Sequence, residues 1–108
     1  MTDIQTLYQE TIRFAAEKHA TQKVKGSKLP YIVHLSNVAM EIFMAARKTH
    51  GFDLGYALQV ALLHDTIEDT PTTRVELEKV FGKDIADAVW ALTRDSRLLE
   101  DYRLSDSL

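Results

Sequence analysis

The chain of 108 residues contains no cysteine. This absence excludes a disulfide framework and a zinc site built on thiolates, because both need cysteine sulfur. Any metal ligand must therefore come from histidine or from acidic side chains. A chain without cysteine is also compatible with a reducing compartment, and we expect a cytoplasmic protein.

Long apolar runs and an excess of positive charge are also missing. No window approaches the roughly 18 consecutive apolar residues of a membrane-spanning helix, so we expect a soluble protein with no membrane partner. The 13 basic and 16 acidic residues give a formal charge of −3. Such a balance provides no general attraction to nucleic acid, so DNA is not expected as a partner.

The apolar residues, 45% of the chain, recur mainly at the three- and four-residue intervals of amphipathic helices, and no stretch alternates like a strand. Helices are predicted from about Asp3 to His19, from about His34 to Lys48, from Asp53 through residues 54–65, over residues 73–82 and from Asp84 onward. The length suits one compact domain, residues 1–108. The sequence therefore predicts an all-α bundle of about five helices.

The helix ends carry signals of their own. Asp3, Asp53 and Asp84 are expected N-caps, and Thr73 with Glu76 forms a capping-box pattern. The third helix, LGYALQVALLHD, is apolar nearly all round its circumference, which is typical of a helix enclosed by others. We expect it at the centre of the bundle.

The segment LLHDTIEDT, residues 62–70, gathers acids at the end of this buried helix. The carboxyl end of a helix carries partial negative charge, so Asp65, Glu68 and Asp69 would be disfavoured there without a positive partner. A divalent metal held by His64 and Asp65 would supply it. If the helix continued, the four-residue spacing would bring His64, Asp65, Glu68 and Asp69 to one cleft, with His34 from the preceding helix nearby.

A simpler interpretation stays open. Glu68 and Asp69 would then be solvated loop acids, and His64 a hydrogen-bonded core histidine, because such residues are common. His50 lies in a polar connection and is expected at the surface.

The connection TQKVKGSKLP, residues 21–30, is predicted to be a basic loop. Between residues 11 and 30 there are five positive charges, Arg13, Lys18, Lys23, Lys25 and Lys28, against Glu17 alone. Such a run is usually a solvated face. Because it precedes His34 directly, it could also hold a phosphate-bearing ligand beside the His64 cleft.

Four stretches, FAAEKHATQ, LPYIVHLSNVAMEI, ALLHDTIEDTPTT and VFGKDIADAVWALTRD, resemble the HD-type hydrolase domain of the RelA/SpoT family and the small alarmone hydrolases built from that domain alone. The resemblance implies that His34, His64 and Asp65 bind a manganese-type ion. It also implies that Glu68 and Asp69 orient or deprotonate the attacking water, and that Lys23 and Lys25 bind substrate. The implied reaction releases pyrophosphate from guanosine tetra- or pentaphosphate.

The chain departs from the family pattern at two places. Gln22 is followed by Lys23, Val24 and Lys25 instead of Arg-Lys, which affects guanine recognition. The sequence also ends at residues 106–108, before the family's helix with the last metal-binding aspartate. We expect weaker metal binding from this length of chain, and an exposed apolar surface that favours a homo-oligomer.

Three alternatives to the alarmone hydrolase stay open. The first is an HD phosphohydrolase for another nucleotide, favoured by Val24 in the altered loop. The second is a catalytically silent module that binds a nucleotide or a partner protein, which the missing aspartate allows. The third is a helical bundle whose acid cluster has no role.

Overall fold

The computed structural model describes residues 3–94, which form five helices of eight or more residues and one helix of a single turn. The helices are α1 (Ile4–Lys18), α2 (Ile32–Lys48), α3 (Leu54–Leu63), α4 (Thr66–Asp69), α5 (Arg74–Phe81) and α6 (Lys83–Arg94). The described part of the chain has no β-strand, and an isolated bridge joins Lys23 to Pro30. The all-α prediction is therefore confirmed.

Helix α3 lies at the centre of the bundle, packed against α1, α2 and α6. Leu58, Leu62 and Leu63 of this helix are fully buried. Burial of a leucine side chain contributes about 1.5–3 kcal/mol, so this run of leucines stabilises the bundle and fixes the end of α3. The same core receives Leu35 from α2 and Leu77 from α5.

Three of the predicted helix caps are present. The Asp3 carboxylate accepts a hydrogen bond from the Thr6 amide, and Asp53 accepts from the Tyr56 amide. Thr73 Oγ1 accepts from the amide of Glu76 at 3.1 Å. The Glu76 carboxylate pairs with Lys18 Nζ at 2.7 Å, which joins α5 to α1.

Two predicted helix starts were wrong. Helix α2 begins at Ile32 instead of His34, because the amides of Val33 and Leu35 already bond to the carbonyls of Pro30 and Tyr31. Helix α6 begins at Lys83, so Asp84 lies in its first turn and does not cap it.

Gly82 separates α5 from α6. Its φ of +96° lies in the left-handed region that favours glycine, and its carbonyl accepts from the Ala86 amide at 3.1 Å. Gly82 therefore ends α5, as predicted, and also starts α6, which is the role predicted for Asp84.

None of the helices within residues 3–94 combines the length and apolar character needed to cross a membrane. The polar segment that follows Arg94 in the sequence, including the predicted end of the chain without a last helix, lies outside the described residues.

Candidate active site

The junction between α3 and α4 carries the histidine and the acids singled out in the sequence. Helix α3 ends at Leu63, two residues earlier than predicted, and Thr66 Oγ1 caps its last turn by donating to the Leu63 carbonyl at 2.8 Å. The chain then forms the single turn α4, in which the amide of Asp69 bonds to the carbonyl of Asp65 at 2.9 Å. His64 and Asp65 therefore occupy a break between two helices.

His64 is buried, with 3% of its surface exposed. Its Nδ1 lies 2.6 Å from the Ala61 carbonyl, which can only accept, so Nδ1 carries the proton. In the neutral ring, Nε2 then presents a lone pair. This buried atom has no hydrogen-bond partner and lies 3.1 Å from Oδ2 of Asp65. A buried nitrogen without a partner needs a physical explanation, and a bound ion is one.

Asp65 connects this histidine to a tyrosine that sequence reasoning had missed. The Tyr31 hydroxyl donates to Oδ2 of Asp65 at 2.5 Å. Burial, followed by the hydrogen bond to Asp65 and its charge, raises the pKa of Tyr31, so the hydroxyl stays protonated as the donor. Tyr31 stands in the stretch LPYIVHLSNVAMEI, just before α2, but an aromatic residue there gives no signal of a polar contact.

His64 and Asp65 each shift the pKa of the other. Burial acts to lower the pKa of His64, but the adjacent Asp65 carboxylate outweighs it and the pKa is raised. Burial acts to raise the pKa of Asp65, but His64 and Tyr31 outweigh it and the pKa is lowered. Asp65 is therefore ionised at neutral pH, which is the form that binds metals.

An open cleft of about 530 Å³ lies in front of Asp65. Its lining residues are Gln22, Lys23, Val24, Lys25, Tyr31, His34, Asp65 and Asp69. Five of the seven predicted site residues are among them, namely Lys23, Lys25, His34, Asp65 and Asp69. The basic loop and the acid-rich turn thus face one space, as expected from their opposite charges.

The other two predicted site residues lie elsewhere. His64 is buried behind Asp65, whereas Glu68 is exposed and does not line the cleft. The expectation that all four residues of the HD segment enter one cleft assumed an unbroken helix. With α3 ending at Leu63, only Asp65 and Asp69 line it.

Within residues 3–94, no three or more His, Cys, Asp or Glu side chains already surround one point as a metal site would require. His34 lines the same cleft, but its ring packs against Tyr31 with the ring centres 5.1 Å apart. Two potential ligand atoms do lie close together, Nε2 of His64 and Oδ2 of Asp65. Two ligands each about 2.1 Å from an ion at a right angle are about 3.0 Å apart, so their 3.1 Å separation fits a shared ion.

Two further residues, Gln22 in the lining of the cleft and His19 in contact with it, were not predicted to belong to the site. His19 is buried, its Nδ1 lies 2.6 Å from Oε1 of Gln22, and its ring packs on Tyr31. Gln22 Nε2 donates to Oδ2 of Asp69 at 3.3 Å. Both residues stand in the stretch FAAEKHATQ, but their spacing alone does not distinguish them from ordinary helix-end residues.

Comparison with known proteins shows the family of this chain. Residues 11–104 match the family described as the HD domain. The chain belongs to the HD domain family. Membership of this family implies a divalent metal ion. The resemblance predicted from the four sequence stretches is thereby confirmed.

The HD domain is similar to several enzymes named guanosine-3′,5′-bis(diphosphate) 3′-pyrophosphohydrolase. It is 46% identical over 90 residues to MESH1 of Danio rerio, covering 82% of this chain and 48% of the relative. It is 43% identical over 98 residues to MESH1 of Homo sapiens, covering 88% and 52%. With the enzyme of that name from Aquifex aeolicus it shares 38% identity over 104 residues, covering 88% and 14%. The chain thus spans about half the length of the MESH1 relatives.

Proposed function

We propose that this HD domain carries the catalytic centre of a metal-dependent guanosine-3′,5′-bis(diphosphate) 3′-pyrophosphohydrolase. The observation that carries the proposal is the unpartnered Nε2 of His64, 3.1 Å from Oδ2 of Asp65, beside a cleft that is also lined by two lysines. The names of the similar enzymes supply the substrate guanosine-3′,5′-bis(diphosphate), which is guanosine tetraphosphate. The pentaphosphate is added from the sequence resemblance.

The proposed metal ligands are His34, His64 and Asp65, and the proposed ion is manganese. His34 supports this role because burial lowers its pKa, which favours the neutral imidazole that binds metals. Its place in the lining of the cleft puts it on the same side as Asp65. When bound, the ion would polarise a phosphoryl oxygen and stabilise the charge that develops there.

The cleft residues would divide the remaining work. Lys23 and Lys25 would bind the diphosphate oxygens through charge-assisted hydrogen bonds. Asp69 would orient water and accept its proton. Glu68, the other carboxylate predicted for this role, is exposed and does not line the cleft, so it is given no part in the step. The water oxygen forms a bond to the phosphorus that is attached to the ribose 3′ oxygen. The bond between this phosphorus and the 3′ oxygen breaks. The 3′ oxygen takes up a proton, so GDP or GTP and pyrophosphate are the products.

The activity is tested by incubating the protein with manganese and guanosine tetraphosphate and measuring released pyrophosphate. We expect release from the wild type and from His50→Ala, which changes an exposed histidine, and none from His64→Ala. Equal release by the wild type and His64→Ala would remove the proposal.

A second substrate class is favoured by one observation. Val24 lines the cleft between Lys23 and Lys25, so an apolar side chain faces the proposed ligand. If the chain is an HD phosphohydrolase for another nucleotide, that nucleotide would contact the same lysines and the same metal. A panel of nucleotides with terminal or 3′ phosphates separates the two, because the true substrate gives the highest kcat/KM. Manganese binding with no hydrolysis of any nucleotide would instead identify a binding module.

The remaining part of the proposal concerns the assembly and location of the protein. The exposed face of α2 carries Val33, Met40 and Met44, and an apolar stripe of this kind favours self-association. We therefore keep the homo-oligomer, in the cytoplasm, as part of the proposal. Light scattering of the wild type and Met40→Lys tests it, since the variant should dissociate.

A further inference from the structure

The basic loop is closed at its base by a backbone hydrogen bond between residues 22 and 31, which flank its lysines. The Tyr31 amide donates to the Gln22 carbonyl at 3.0 Å, and the Val24 amide donates to the Leu29 carbonyl at 2.9 Å. Gly26, with φ of +77°, makes the turn between them. Lys23 and Lys25 therefore belong to a loop whose two ends are hydrogen-bonded to each other. A movement of these ends would move both lysines together.

The two residues at the base of the basic loop each reach one carboxylate of the acid-rich turn. Gln22 Nε2 donates to Oδ2 of Asp69 at 3.3 Å, and the Tyr31 hydroxyl donates to Oδ2 of Asp65 at 2.5 Å. The loop is thus attached to the turn at two points by side chains whose backbones are bonded to each other.

His19 contacts both of these side chains. An ionised carboxylate only accepts, so the Gln22 amide must turn its Nε2 toward Asp69 and its Oε1 toward His19. Nδ1 of His19 is then the donor in the 2.6 Å contact with Oε1. The His19 ring also packs on Tyr31, with ring centres 4.3 Å apart and planes inclined by 31°. Gln22 and Tyr31 are therefore each fixed in one orientation.

We infer that Gln22 and Tyr31 are positioning residues that couple the basic loop to the acid pair, setting the distance between the lysines and the two carboxylates. The inference rests on the proposed function, in which the lysines bind phosphate while Asp65 and Asp69 act on metal and water. A hydrogen bond to a metal-binding carboxylate orients it, and a fixed spacing between the two halves of a site keeps substrate and water in reacting geometry.

The two contacts have different consequences when removed singly. Tyr31→Phe keeps the ring on His19 but deletes the hydrogen bond to Asp65, and we expect the Kd for manganese to rise about tenfold. Gln22→Met keeps the length of the side chain but deletes the bond to Asp69. It should leave the manganese Kd unchanged and raise the KM for the nucleotide about tenfold. Tyr56→Phe and Gln9→Met, at exposed positions, are the matched controls.

The test combines three measurements. Isothermal titration gives the Kd for manganese, steady-state kinetics gives the KM for the nucleotide, and amide hydrogen exchange reports on residues 23–30. A variant that is merely less stable has less active protein, which lowers the apparent kcat without moving Kd or KM. Both positioning variants should also exchange faster in the basic loop than their controls, with α6 unchanged. Wild-type values of Kd, KM and loop exchange in both variants would overturn the inference.

Failure of the proposed function can be told apart from failure of this inference. If the wild type releases no pyrophosphate, the proposed activity is wrong, while the manganese Kd and the loop exchange still decide on the coupling. If the wild type binds no manganese either, the exchange of the basic loop decides alone. Faster loop exchange in both variants supports the coupling, and unchanged exchange contradicts it.

Discussion

His64 and Asp65, neighbours in sequence, direct a ring nitrogen and a carboxylate oxygen to within 3.1 Å of each other at the end of the central helix. The imidazole cannot turn away, because its other nitrogen is bonded to the Ala61 carbonyl. The carboxylate is held in turn by the Tyr31 hydroxyl. If His64 and Asp65 bind metal as proposed, a pair oriented in this way loses little freedom when the ion binds, which favours binding.

Manganese should therefore stabilise the folded protein. A ligand at one hundred times its Kd adds about 2.7 kcal/mol to the free energy of unfolding. For a domain of this size we expect a rise in Tm of about 10 °C or more. Differential scanning calorimetry with and without manganese measures it.

The matched variants for this measurement are Asp65→Asn and Asp84→Asn. The first replaces the proposed metal-binding carboxylate, and the second replaces an exposed aspartate in α6. We expect Asp65→Asn to lose the rise in Tm and Asp84→Asn to keep it. A manganese effect that survives in Asp65→Asn would mean that the ion binds somewhere else.

The lysines of the cleft should govern the binding of a phosphorylated substrate. Lys23→Gln and Lys25→Gln each remove a charge that faces the cleft, whereas Lys28→Gln removes an exposed loop charge that does not line it. A charge-assisted hydrogen bond contributes about 1.5–3 kcal/mol, so each of the first two variants should raise KM about tenfold or more.

Steady-state kinetics at two salt concentrations checks this prediction. The KM of the wild type should rise with salt, because salt screens the attraction between the lysines and the phosphates. The KM of Lys28→Gln should stay close to that of the wild type. Equal effects of all three substitutions would point to the total charge of the loop instead of contacts in the cleft.

Most of the fold could be predicted from the sequence because its signals are local. The apolar stripes and the Asp3, Asp53 and Thr73 caps act within a few residues, and the structure places all three caps as expected. The starts of α2 and α6 were wrong because backbone groups of Pro30, Tyr31 and Gly82 make the first bonds, and no side-chain pattern records them.

The candidate site was only partly predictable for a related reason. Charge and metal-ligand chemistry identified the lysines and the acids, and five of the seven residues do line one cleft. Gln22, Tyr31 and His19 belong to the site through contacts made across the fold, such as the one between residues 31 and 65. The exposure of Glu68 could not be predicted from the sequence either, because it depends on where α3 ends.

The central position of α3 gives a prediction about stability. Leu58 is fully buried in the core, so Leu58→Ala removes apolar contacts and leaves a cavity. We expect the free energy of unfolding to fall by about 2–5 kcal/mol. Val75→Ala is the control, since Val75 is 64% exposed and should change the stability little. Urea denaturation followed by circular dichroism measures both, and equal midpoints would contradict the central role of α3.

Asp87 of α6 gives a prediction about pH. It accepts from Arg74 of α5 and from Lys83, each at 2.6 Å. The Arg74 hydrogen bond, followed by that of Lys83, lowers the pKa of Asp87 below its ordinary value of 3.8. Because the folded-state pKa is the lower one, the pairing stabilises the fold above pH 3.8. This contribution is lost as the pH falls through the folded-state pKa.

Asp87→Asn should therefore lower Tm slightly at pH 7, and its difference from the wild type should shrink as the solution is acidified below pH 3.8. High salt at pH 7 should also reduce the difference, since these groups lie at the surface and their attraction is screened. Thermal melts of the wild type, Asp87→Asn and the exposed control Glu10→Gln over this pH range measure the effect. A difference that stays constant from neutral to acid pH would show that Asp87 contributes through packing, and that its charge does not hold α5 against α6.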